Sequence, residues 1–300
     1  MIPEFFVIGA QKAGSTYLLE CLNEHPRIFM PPYEVRFFED PEYDSSRMQD
    51  FEQHFEGAKA NQVIGVKRPN ILGRPECPAR LAEHMPHGKL IVILREPIQR
   101  ALSAYFHYMK TGLLPVKPLD QGMRAVIDGT VPGYPRASEV LTFGLYAESL
   151  ARFDKYYPSG QIYITLLDEI RNNPAAELEQ LYRFLGVDSE YQPRAIGGRP
   201  MASPYSLTRL RLWNAIDGAC RRWNADRTNF VRRSGPFWTP LVKLNQALDK
   251  QVWERLFTAK RPSPQQSLQS ELADFYRQDL QALEQRLGSL PDSWKSGASV

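Results

Sequence analysis

Apolar residues fall along this chain in two rhythms. Four short stretches, Phe5 to Gly9, Val63 to Lys67, Lys89 to Leu94 and Gln161 to Leu166, are mainly apolar, rich in β-branched residues and of strand length. Near-continuous apolar runs of this kind mark strands buried on both faces, as in parallel sheets. Between them apolar positions recur every three or four residues. That spacing predicts helices over Ser15 to Glu24, around Arg47 to Phe55, and over Pro78 to Met85, Ile98 to Lys110, Leu145 to Tyr157 and Pro174 to Leu185. Strands and helices taking turns give an α/β fold, a central mainly parallel sheet between helical layers. After Gly186 the texture changes to a loop of prolines, glycines and arginines, followed by helical spacing at Leu207 to Trp223, Leu241 to Phe257 and Leu268 to Leu287. The expectation is one domain over 1–300, with an α/β core over 1–190 and a helical C-terminal portion over 191–300.

Composition narrows the class. The 300 residues are 43% apolar and 24% charged, enough for a large buried core, and the net charge is +3. So small a surplus gives no reason to expect nucleic-acid binding. Cys21, Cys77 and Cys220 are odd in number and lack C-x-x-C spacing, which favours reduced thiols over disulfides or a zinc site. No apolar run approaches the roughly 20 residues of a membrane span. No basic segment or cleavage site precedes the first strand, so the cytoplasm is the expected compartment.

The chemistry begins at FFVIGAQKAGST, Phe5 to Thr16, where a strand runs through a glycine-bounded turn into a helix. Bare N–H groups at a helix start favour an anion, and Lys12, Ser15 and Thr16 add a charge and two hydroxyls. The loop is P-loop-like, but it departs from G-x-x-x-x-G-K-[ST]: Ser15 stands where lysine is required, and Lys12 lies inside the turn. An ordinary nucleotide triphosphatase fits poorly. Alone, such a turn is equally an ordinary strand-to-helix connection. A second strand, turn and helix, KLIVILREPIQRALSAYFHYMKTG, delivers Arg95 at a strand's carboxyl end, with Arg100, Ser103 and His107 on the helix that follows. Ligands of open α/β sheets bind outside the carboxyl ends of strands, so Arg95 is expected to share a crevice with Lys12. Arg100, taken alone, reads as a charge on a solvated helix face.

Together the two segments resemble the PAPS-dependent sulfotransferases, in particular the heparan-sulfate-type and bacterial branch. QKAGST, Gln11 to Thr16, is similar to the P-K-[AST]-G-[ST]-[ST] loop of that family, and REPIQRALSAY, Arg95 to Tyr105, to its R-x-P-x-x-R-x-x-S-x-[YF] segment. NEHP at Asn23 to Pro26, YEVRFFED at Tyr33 to Asp40, GVKRP at Gly65 to Pro69 and YRFLGV at Tyr182 to Val187 extend the likeness over residues 5 to 187. The resemblance implies that Gln11, Lys12, Ala13, Gly14, Ser15 and Thr16 hold the 5′-phosphosulfate end of 3′-phosphoadenosine 5′-phosphosulfate, and that Arg95 and Ser103 hold its 3′-phosphate. It implies Glu34 as the base that deprotonates the acceptor, with Tyr33 where many relatives have lysine. From residues alone, Glu34 reads equally as a surface partner of Arg36, and Lys67 either as a cation for the transferring group or as a solvated strand-end lysine. Lys12 would meet the charge that grows on the leaving oxygen.

His107 is placed beside the acceptor or on the helix flank. His25, His54, His84 and His87 read as surface residues without metal-ligand spacing, so no metal is expected. Arg199, in IGGRPMASPYS, is the candidate from the loop that closes over the donor in the family. Between Arg194 and Arg233 arginines interleave with Tyr205, Trp213 and Trp223. These are read as a solvated basic face and core aromatics. The acceptor is open among small molecules, lipids and carbohydrates. Competing readings are a nucleotide kinase or NTPase, and a non-catalytic module that binds phosphoadenosine.

Overall fold

All of the first apolar run, Phe5–Gly9, is buried, and it forms the middle strand of a five-stranded sheet. The computed structural model describes residues 2–196 and 204–295. Numbered along the chain, the strands are β1 (Phe5–Gly9), β2 (Ile28–Phe29), β3 (Val63–Lys67), β4 (Lys89–Leu94) and β5 (Ile162–Leu166). They lie in the order β2-β3-β1-β4-β5, and every neighbouring pair is parallel. The α/β reading from the apolar rhythm therefore holds. β2 was hidden from that reading because two residues are too few to show a period.

The described residues gather into two compact units. One lies within Met1–Glu96, Phe143–Met201 and Asp279–Ser289, the other within Pro97–Thr142, Ala202–Gln278 and Leu290–Val300. The first unit holds the whole sheet with α1 (Ser15–Glu24), α2 (Met48–Gln53), α3 (Cys77–His84) and the later helices Tyr146–Asp154, Leu167–Asn172 and Pro174–Leu185. The last of these starts on Asn173, whose side chain accepts from the Ala176 N–H ahead of Pro174, and stops at Gly186 in the left-handed region. Close strand packing appears at Gly65, which is registered opposite Phe5. A Cβ there would lie 2.0 Å from the Phe5 ring. Overpacking of this sort costs about 1–3 kcal/mol, so Gly65→Ala should lower the urea midpoint with an unchanged slope.

In the second unit, α4 (Pro97–Thr111) has eleven of its fifteen residues buried. Its circumference leaves little solvated face, and Arg100 is accordingly not on one. It is fully buried, and its guanidinium donates to the Val140 carbonyl. The helical spacing at Leu207 to Trp223 also resolves differently. The helix ends at Asp217, and Arg221–Trp223 pairs antiparallel with Phe230–Arg232. The turn between lets the buried Arg221 meet the buried Asp217 and donate to the Lys110 carbonyl at 2.7 Å. The three cysteines are buried, free thiols.

Candidate functional site

Between β1 and α1 the chain turns with Lys12 at φ 70 and Gly14 at φ 95, both left-handed. Glycine adopts that region freely and lysine does not, so strain is concentrated at the loop's one cation. A Cβ on Gly14 would also lie 2.9 Å from Leu167. The loop is pinned to β4 by the Ala10 N–H, which donates to the Ile93 carbonyl at 2.7 Å. No side chain caps α1, and no acid lies in its first turn. The positive end of the helix is therefore presented with Lys12, Ser15 and Thr16 around it. Ala13 is buried as the floor of the turn, and Gln11, also buried, donates to Asn70 Oδ1 at 2.9 Å.

Strand order puts further groups beside this loop. β1 lies between β3 and β4, and the chain order reverses there, which is where open α/β sheets carry their ligand crevice. From the β4 side, Arg95 Nη1 donates to the Lys12 carbonyl at 3.0 Å. From the β3 side comes Lys67. It is not a solvated strand-end lysine, being only 4% exposed. Its Nζ lies 3.3 Å from Thr16 Oγ1 and 3.2 Å from Glu34 Oε1.

Glu34 is thereby linked to the loop through one lysine. Its other oxygen, Oε2, accepts from Arg68 Nη1 at 2.7 Å. The Glu34 side chain keeps 35% of its surface exposed, so a solute can reach it, whereas that of Arg68 keeps 8%. Burial pushes the Glu34 carboxyl up, but Arg68 and Lys67 outweigh this and hold it below the ordinary carboxylate range. Arg68 is in turn gripped by the buried Glu39. Nε and Nη2 of its guanidinium reach the two carboxylate oxygens, the second at 3.1 Å, and Arg74 Nε approaches Glu39 Oε1 at 3.7 Å. Burial works against the charge on Arg68, yet Glu39 and then Glu34 hold its pKa above the usual value.

Arg68 and Glu39 were not among the sequence candidates. Two signals in the chain bear on them. GVKRP carries arginine where the resembling family has the serine of E-K-S-P, and YEVRFFED carries a second acid five residues after Glu34. Of the remaining candidates, Ser103 is buried on α4 and His107 is half-buried one turn later, both in the second unit. Arg199 lies outside the described residues. His25 is not a surface residue. It is 1% exposed, its ring lies 4.7 Å from that of Tyr182, and its Nε2 is 3.0 Å from the Asp188 carbonyl.

Comparison with known proteins gives a consistent picture. A family model described as Sulfotransferase domain matches residues 3–196. Heparan sulfate glucosamine 3-O-sulfotransferase 5 of Mus musculus is 26% identical over 224 residues, covering 74% of this chain and 60% of its own length. Bifunctional heparan sulfate N-deacetylase/N-sulfotransferase 2 of Homo sapiens is 32% identical over 199 residues, 62% of this chain and 22% of that protein. The chain thus spans less than two thirds of the length of either relative. Among solved structures, a sulfotransferase from Alicyclobacillus acidocaldarius matches with a TM-score of 0.67 at 19% identity, over 98% of this chain and 99% of that one, a likeness of fold.

Proposed function

The chain belongs to the sulfotransferase family, and from that premise we propose that it moves a sulfuryl group from 3′-phosphoadenosine 5′-phosphosulfate to a hydroxyl or amine of a carbohydrate acceptor. One observation carries the reading: Glu34 is joined through Lys67 to Thr16 of the anion loop, so a carboxylate and a lysine meet beside an uncapped helix start. The groups present suit such a donor, because the uncapped helix, Lys12, Ser15, Thr16 and Arg95 together offer N–H groups, hydroxyls and positive charge to phosphate and sulfate oxygens. When bound, the donor supplies an activated sulfuryl group. Lys12 and Lys67 stabilise negative charge at the transferring and leaving oxygens, and Glu34 takes the proton of the attacking group. An anion held at Lys67 would absorb part of the charge that this lysine lends to Glu34, making the carboxylate a stronger base. The names of the relatives, which act on heparan sulfate as 3-O- or N-sulfotransferases, support a carbohydrate hydroxyl or amine as acceptor.

The reading is tested by calorimetric titration with adenosine 3′,5′-bisphosphate and with ATP. The bisphosphate should bind and ATP should bind far more weakly; tight ATP binding with no response to the bisphosphate overturns the proposal. Charge-assisted hydrogen bonds are worth about 1.5–3 kcal/mol each, so Arg95→Ala should weaken bisphosphate binding by about one to two decades.

A further inference from the structure

Helix Trp238–Leu248, in the second unit, turns Trp238, Leu241, Val242 and Leu248 half inward and buries a polar residue among them. Asn245 is fully buried and donates to the Trp213 carbonyl at 3.2 Å. One turn on, Asp249 is 6% exposed and accepts from Arg209 Nε at 2.6 Å, with Lys110 Nζ at 3.5 Å. Several large apolar residues in and around the helix are nevertheless accessible. Phe237 is 67% exposed, Leu244, two turns further along the same side, is 52% exposed, and Leu256, after the π-helical Asp249–Trp253, is 67% exposed. Val231, on the adjoining hairpin, is 53% exposed. Four of the eight large apolar side chains exposed on the described chain therefore fall within 26 residues. Exposed apolar residues scattered singly are ordinary, whereas a concentration of them in one segment marks a contact surface.

The charge around these residues says what covers them. From Arg222 to Lys260 there are eight lysines and arginines against three acids, a larger surplus than the +3 of the whole chain. Two of the acids are engaged by Arg209, Asp249 as above and Glu254 at 3.6 Å. Cations stand beside the exposed apolar residues: Arg233 precedes Phe237, Lys243 adjoins Leu244, and Arg255 adjoins Leu256, while Arg232 pairs with Asp217 at 3.0 Å. Arg233 lies over the Trp238 ring at 4.9 Å, pairing a cation with the aromatic most at home at a membrane interface. We propose that this face docks on the surface of an anionic lipid bilayer, with Phe237, Leu244 and Leu256 entering the headgroup boundary and the flanking cations meeting lipid phosphates and carboxylates. Exposed apolar side chains with cations beside them suit an interfacial segment, whose binding sums apolar burial and attraction to anionic lipid. It involves no crossing, since among the described residues no helix is long and apolar enough to span. A second copy is the poorer occupant, because a two-fold contact would stack one cationic patch on another.

Sedimentation of the full chain with vesicles tests this. At about 0.1 M salt, where surface charges still act over roughly 10 Å, the protein should pellet with phosphatidylcholine vesicles containing phosphatidylserine at three parts in ten, and at least tenfold less with phosphatidylcholine alone. The triple variant Phe237→Ser, Leu244→Ser, Leu256→Ser should lose at least tenfold in vesicle affinity. Its far-ultraviolet dichroism and bisphosphate binding should match the parent, because the three side chains are solvent-facing. Failure of the parent to bind the anionic vesicles overturns the proposal, as does equal binding by the triple variant. Light scattering gives the remaining arm: a parent dimer that the triple variant converts to monomer would assign the face to a second copy and also overturn it. None of these readouts depends on sulfuryl transfer.

Discussion

Glu34→Gln should slow turnover by about 10² to 10⁴-fold, the usual contribution of a positioned general base, while leaving the affinity for adenosine 3′,5′-bisphosphate unchanged. The amide is nearly the same size, and its one oxygen can still accept from Arg68 or from Lys67, so the site keeps most of its shape and loses its proton acceptor. Labelled-donor assays over a set of carbohydrate acceptors read kcat, and calorimetry reads the bisphosphate. Equal losses in the two would mean that Glu34 merely holds the cations in place. The pH profile gives a second check. Glu34 must be ionised to act, and its carboxyl lies below the ordinary range, so activity is present above that folded-state value and falls as pH drops through it. The acid limb of kcat/KM should therefore lie below the ordinary glutamate range in the parent. In the glutamine variant that limb should vanish from the residual rate. The stability contribution has the same sign: it is present above the unfolded-state pKa and is lost as pH falls through the depressed one.

How much of this was legible follows from distance along the chain. β1, β3 and β4 declare themselves because each is buried on both faces and therefore nearly continuous in apolar residues. The anion loop is equally local: two glycines, a lysine and two hydroxyls within eight residues. What local pattern misses is the fate of charge. Lys67 and Arg68 end a strand and look solvated; they are buried because Glu34 and Glu39, about thirty residues earlier, supply their partners. Arg100 is hidden for a similar reason, its acceptor being a backbone carbonyl forty residues on, and carbonyls carry no sequence signature. The same blindness affects Trp238–Leu248. Periodicity turns Trp238, Leu241, Val242 and Leu248 inward but does not foresee that Asn245 and Asp249 are the most buried residues there, held by the Trp213 carbonyl and Arg209. Motif spacing thus exposed the chemistry of the first unit, whereas tertiary pairing decided which charges it could bury.

Arg68→Met should be the most destabilising of the site substitutions, because it leaves Glu39 at 3% exposure without its bidentate partner. Removing one member of a buried pair costs about 3–5 kcal/mol, whereas replacing both by apolar residues is often neutral. Urea unfolding should accordingly show a large loss for Arg68→Met and recovery of most of it in Arg68→Met with Glu39→Leu. The pair also separates anchoring from catalysis. In the double variant the fold is restored but Glu34 has lost the largest of the groups that lower its pKa, while burial still raises it. Its carboxyl must then titrate higher, and the acid limb of kcat/KM should move to higher pH than in the parent, with bisphosphate affinity retained. Arg68→Lys keeps a charge near Glu34 without the planar fork that spans Glu34 and Glu39, so it should leave the limb closer to the parent and still lose stability. An unmoved limb in the restored double variant would show that Arg68 braces the fold and does not set the proton affinity of Glu34.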